Sequence, residues 1–230
     1  MYLTILAVIP GIVLFSIVYG FDRNEKEPMG LLIKLFLLGV VSVIPATIVE
    51  VFLKGVYLNA FSFSRIAYLI ALCYFAVALS EEGGKYLFLK LATWKSPEFN
   101  YTYDGVVYAV TVSLGFAVIE NIMYVLTTGS VGVALMRAVL AVPGHAMFGV
   151  YMGTYYGIAK LSESYIDTAG RDKNLFRAYV IAVFIHGSYD FCLMTGYLVV
   201  IIPFLAFEAW FTFHTYKKLK FLAGADRRIR

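Results

Sequence analysis

Long apolar runs alternate along this chain with short polar connections. A helix that crosses a bilayer needs about 20 mainly apolar residues. Seven segments meet that measure, at about 2–20, 30–53, 67–92, 104–126, 134–158, 177–195 and 197–216. Between them, Phe21–Met29 holds charges and the helix-stopping Pro28, and Lys54–Arg65 reads as a mixed loop. Trp94–Tyr103 carries Lys95, Pro97 and tyrosines suited to an interfacial belt. Thr127–Gly132 reads as a turn, Ser162–Asn174 as the longest and most mobile polar stretch, and Thr195-Gly196 as a tight break. The pattern predicts an all-α, polytopic membrane protein of about seven transmembrane helices, with residues 1–230 forming one membrane-embedded domain.

The apolar pattern is broken at particular places. Glu81, Glu82 and Lys85 fall in the third run, Glu120 in the fourth, His145 in the fifth, and His186 with Asp190 in the sixth. A charge at bilayer depth costs roughly 2.5–3.5 kcal/mol on insertion scales. Packing alone rarely sustains that in four helices. At about 1.5 Å rise per residue, Glu81, Glu82, His145 and His186 lie near the middle of their runs. Glu120 lies roughly 7–8 Å beyond the centre of its own. A polar site within the membrane is the expectation.

Composition agrees. The 230 residues are 61% hydrophobic and 15% charged, against about 45–50% and about 25% in soluble domains. A large globular core and a disordered chain are both excluded. The net charge is +4, and its placement is more informative than its sum. Lys54, Arg65 and Arg137 lie towards one side and Lys85 within a run, while the rest of the 19 basic residues fall in or beside the connections of the other side. The positive-inside rule then puts the C-terminus in the cytoplasm and the N-terminus outside, in a cell membrane. The tail KKLKFLAGADRRIR is suited to anionic lipid. The first run has no basic residue before it and no clear small-x-small end, so a retained helix is expected rather than a cleaved leader. Cys73 and Cys192 read as small buried hydrophobes. Glu50 and Glu208 are expected to reach the interface, and His214, beside Lys217 and Lys218, the surface. No internal repeat is visible, and no nucleic-acid partner is expected.

Residues three or four apart share a helix face. Glu81 and Glu82 can therefore both partner Lys85, and Asp190 can hold the His186 imidazole. Gly83-Gly84 and Gly187-Ser188 let neighbouring helices approach. Pro143-Gly144 loosens the backbone beside His145. Two adjacent carboxyls at low dielectric do not both ionise easily, which suits a base and an acid. A glutamate that activates water, with histidines steadying an oxyanion, suffices for peptide hydrolysis. Two histidines with glutamate also suit catalytic zinc, with His145, His186 and Glu120 as candidate ligands. The His-Glu-x-x-His and Gly-x-Ser-x-Gly signatures are absent. Lys85, Asn121 and Asp190 read as supporting residues.

These residues also carry a resemblance. Ser80-Glu81-Glu82-Gly83-Gly84-Lys85 resembles the Glu-Glu-x-x-Lys motif of the PrsW family of bacterial intramembrane proteases. Phe116 to Asn121 resembles that family's Phe-x-x-x-Glu-Asn motif, His145 to Gly149 its third motif and His186 to Asp190 its fourth. Asp22 to Pro28 is similar to the charged segment after the family's first helix. One departure is Gly83-Gly84, where many relatives carry a third acidic or a larger residue. The resemblance spans roughly residues 20–195. It implies site-1 cleavage of a membrane-anchored anti-sigma factor, after which a site-2 protease completes release of an extracytoplasmic-function sigma factor in a stress response. It implies catalytic roles for Glu81, Glu82 and His186, with Glu120 and His145 in the same site. The family is more distantly similar to type II CAAX prenyl proteases, so a prenyl-protein endopeptidase is a second reading. A proton-coupled transporter and a non-catalytic scaffold are rivals from other classes.

Overall fold

A computed structural model describes residues 2–229. Each apolar run folds as helix, because a backbone without water must satisfy its own polar groups. The elements are α1 (Tyr2–Phe21), α2 (Met29–Ala60), α3 (Arg65–Ile70), a π-helical segment (Ala71–Ala78), α4 (Leu79–Thr93), α5 (Asp104–Thr128), α6 (Val131–Val139), α7 (Ala141–Ser164), α8 (Thr168–Met194) and α9 (Leu198–Gly224). From α3 through α4 the chain is one rod, Arg65–Thr93. Six stretches are long and apolar enough to cross a membrane, with α6 and α7 counted together. The 27-residue α8 is not among the six. It has the length, but its first turns hold Arg171, Asp172, Lys173 and Arg177, and His186 and Asp190 follow. The protein is an all-α polytopic membrane protein.

α5 is the centre of the bundle. Of its apolar stretch 78% is buried, against 17% of that of α1 and 22% of that of α9. Close approach of helix backbones makes this possible. Gly149, Gly153 and Gly157 line one face of α7 against α5. A Cβ at Gly153 would lie 2.4 Å from the Gly105 carbonyl oxygen, and one at Gly157 2.1 Å from that of Thr102. Small residues at such spacing let dispersion replace the hydrophobic drive that lipid does not supply. The α2–α5 contact is built alike, with Gly39 against the Val112 carbonyl and Gly115 against that of Phe36.

Several expectations are corrected. The run 134–158 is divided: α6 ends at Val139, α7 starts at Ala141, and Leu140 lies at the bend. Pro143 has no N–H to give to the Val139 carbonyl, so the helix ladder is interrupted there. The supposed loop 162–174 shrinks to Tyr165–Asp167. The Asp167 carboxylate caps α8 by accepting from the Gly170 N–H at 2.8 Å, and polar residues after it continue the helix. α2 runs on to Ala60, which leaves only a short link to α3. The tail is docked as well as basic. Asp226 accepts from Thr102 Oγ1 at 2.9 Å, the Tyr103 N–H at 2.8 Å and Asn24 Nδ2 at 2.9 Å. The tight break after α8 is present, with Gly196 at φ 71°.

Candidate active site

The Glu/His residues are brought in by four helices, α5 and three that carry the others, α4, α7 and α8. The π-helical segment precedes α4 directly, and its wider coil packs Tyr74 against Gly187 of α8. α4 then delivers Glu81, Glu82 and Lys85, all buried. α7 brings His145, α8 brings His186, and α5 brings Glu120. The expected four-helix convergence is therefore present. Ligand-type atoms of Glu81, Glu82, His145 and His186 lie within 4.8 Å of one another.

Lys85 organises the cluster. Its ammonium donates to Glu82 Oε1 at 2.7 Å, to His145 Nδ1 at 3.1 Å and to Glu81 Oε2 at 3.4 Å. It also lies 4.0 Å from the centroid of the Phe116 ring. Because Nδ1 of His145 accepts, Nε2 carries the hydrogen and donates to Glu120 Oε2 at 3.0 Å. His186 donates through Nδ1 to Glu82 Oε1 at 2.9 Å. Its Nε2 faces Asp190 Oδ2 at 3.4 Å and Glu81 Oε2 at 3.9 Å. Phe148 stacks on the His186 ring at 4.7 Å and holds its plane.

Beside the cluster is a cavity of about 620 Å³. Glu81, Glu120, His145, His186 and Asp190 reach its wall. Glu82 does not, and is 0% exposed behind Glu81. Asn121 lies outside the cavity wall. It donates to the Ala7 carbonyl at 3.0 Å and so fastens α1 to α5.

The donor set suits a divalent metal. Two imidazoles and two carboxylates are ligand types of zinc. Glu82 Oε2 is buried with no hydrogen-bond partner among the described residues. Glu81, Glu82, Glu120 and Asp190 bring four carboxyls, whereas the fixed cations in contact with them are Lys85 and Arg137. Two further positive charges, as a divalent ion or as protons, balance the site.

Other participants were less legible. The sequence marks Arg137 only as a basic residue towards one membrane face, yet it binds Glu120 Oε2 at 2.9 Å. A lone arginine in an apolar stretch was the signal that could have found it. Glu50 lines the cavity. Glu208 is buried, with Oε1 unpartnered among the described residues. His214 is exposed, as expected, and stacks on Trp210. Cys73 and Cys192 are free thiols.

Residues 27–212 match the family model described as PrsW family intramembrane metalloprotease. The chain is 36% identical over 213 residues to "Protease PrsW" of Bacillus subtilis, covering 92% of each chain. It is 35% identical to "Protease PrsW" of Oceanobacillus iheyensis, covering 85% of this chain and 86% of the relative. It is 36% identical to "Protease PrsW" of Geobacillus kaustophilus, covering 81% and 77%. No solved structure matches this chain.

Proposed function

Because this chain belongs to the PrsW family of intramembrane metalloproteases, we propose that it cleaves a membrane-anchored protein inside the helix bundle, with Glu81 as the general base. The observation that carries this reading is the meeting of Glu81, His145 and His186 on the wall of one cavity, with Glu82 and Lys85 behind them. Of the adjacent pair, Glu81 is the carboxyl that reaches the cavity wall. Glu82 accepts from Lys85 and His186 and so acts as the organiser.

In the reaction, Glu81 takes a proton from water as the water oxygen bonds to the scissile carbonyl carbon. His186, as the imidazolium whose Nδ1–H is held by Glu82, offers Nε2–H to the developing oxyanion. When the C–N bond breaks, the electron pair stays on nitrogen and Glu81 returns the proton to it. The products are a carboxylic acid and an amine. Glu81, Glu82, His145 and His186 would hold the metal, each imidazole then giving up one of the hydrogen bonds described above, with zinc the ion their chemistry suits. Bound there, it supplies Lewis-acid polarisation.

The substrate class, a membrane protein, follows from the family, and by likeness to it the substrate is an anti-sigma factor cut at site 1 ahead of a site-2 protease. The bias of basic residues supports a cytoplasmic C-terminus and an outer N-terminus.

The test is cleavage of a membrane-anchored reporter by the full chain in proteoliposomes. Glu81→Gln is expected to lower kcat by about 10²–10⁴-fold, the usual range for a lost acid–base group. Wild-type cleavage by that variant overturns the assignment. In a second arm, chelation is expected to abolish cleavage and zinc to restore it. Full activity in a preparation shown to be metal-free removes the metal from the account.

A further inference from the structure

α6 is short and amphipathic, capped by Ser130 Oγ, which accepts from the Val133 N–H at 3.3 Å. Its last turn carries Arg137, which the acid–base chemistry above leaves unused. The guanidinium grips three residues on neighbouring positions of α5. Nη2 donates to Glu120 Oε2 at 2.9 Å, Nε donates to Asn121 Oδ1 at 3.1 Å, and the group lies 4.0 Å from the centroid of the Tyr124 ring. The fork is fixed at two of its three nitrogens, Nε and Nη2, and Asn121 is itself tied to the Ala7 carbonyl. The same Glu120 Oε2 accepts from His145 Nε2. One carboxylate oxygen therefore joins Arg137 to an imidazole whose other nitrogen faces Lys85 and, through it, the Glu81/Glu82 pair.

We propose that Arg137 is a positioning residue for the peptidase reaction: it fixes the Glu120 carboxylate so that His145 keeps Nε2–H outward and Nδ1 toward Lys85. The inference rests on the function proposed above, and gives α6 a role within it. Released from Arg137, Glu120 can swing into the cavity that it lines, and His145 loses the partner that sets its orientation. A lysine keeps the positive charge but not the planar fork that spans Glu120 and Asn121. Arg137 also reaches the cavity wall, so direct substrate binding is the competing role. That role would appear in KM, whereas positioning appears in kcat.

The experiment uses the full chain in lipid nanodiscs with a membrane-anchored reporter, and reads kcat and KM separately. It adds ¹⁵N spectra of histidine-labelled protein, which report the imidazole tautomer without any turnover. Arg137→Met is expected to lower kcat by about 10–100-fold, the range for lost outer-shell partners, with KM unchanged. The His145 signals should move from a single Nε2–H tautomer towards a mixture. Arg137→Lys should fall between the two proteins in both readouts, and carries the test alone if Arg137→Met does not fold. Wild-type kcat in the tested variant, a loss confined to KM, or an unaltered imidazole spectrum overturns the proposal. Glu81→Gln run alongside separates the two claims. If it cleaves normally, the proposed function fails, while the spectra still judge whether Arg137 orients His145.

Discussion

Lys85 shows what an ionisable residue needs in order to persist within an apolar bundle. It is 0% exposed, yet its three N–H donors meet two carboxylates and an imidazole. Removing one member of a buried charge set strands the others, at about 3–5 kcal/mol. Lys85→Met is expected to destabilise the protein by an amount of that order, read from unfolding in lipid nanodiscs. A variant as stable as wild type would mean that the carboxyls are neutral without it. The ionisable residues themselves were legible in the sequence, because a charge inside an apolar run stands out. The division between Glu81 and Glu82 was not. Adjacent helix positions point about 100° apart, and which of them meets the cavity is set by the helices packed around α4. The role of Arg137 was not legible, because α6 is continuous in hydropathy with α7 and the partner Glu120 lies on another helix.

At the scale of elements, the α5–α7 contact depends on the absence of side chains. Gly153→Val would place carbon within 2.5 Å of Val106 Cα. The expected result is a sharp fall in folded yield and thermal stability, while the same change at Gly224, which has open space around its Cβ position, is tolerated. Equal stability of the two variants would contradict the packing described. The breaks between helices were harder to read than the helices. Pro143 divides one expected span, and Asp167 starts α8 early, because a cap or a missing N–H outweighs local polarity. The connection Asp22–Pro28 is also more than a linker. Glu27 is buried and accepts from the Tyr108 hydroxyl, and burial pushes its carboxyl up to about 7 from 4.5. Burial likewise pushes Asp22 up to about 6 from 3.8. The folded chain therefore holds protons that the unfolded chain releases. The stability linked to these groups is present at low pH, declines above about pH 4, and is lost as pH rises through about 7. Thermal unfolding in lipid is expected to shift downward from pH 5 to 8, and Glu27→Gln to flatten that slope. An unchanged slope would contradict the account of this clasp.

At the scale of the whole molecule, the cavity beside the Glu/His cluster is lined from α2, the Arg65–Thr93 rod, α5, α6–α7, α8 and α9. The all-α membrane character and the family were both legible, the first from hydropathy and the second from five short motifs in order. The fitting of the rods around α5 was not, since small-residue contacts are visible only once partners are known. Membership of a protease family answers the transporter and scaffold readings. The decisive measurement is cleavage of a membrane-anchored reporter in H₂¹⁸O, followed by mass spectrometry of the product's new C-terminus. The account predicts ¹⁸O at one bond of the membrane-embedded stretch with the wild type, and a rate about 10²–10⁴-fold lower with Glu81→Gln. Label arriving at the wild-type rate in Glu81→Gln would contradict it.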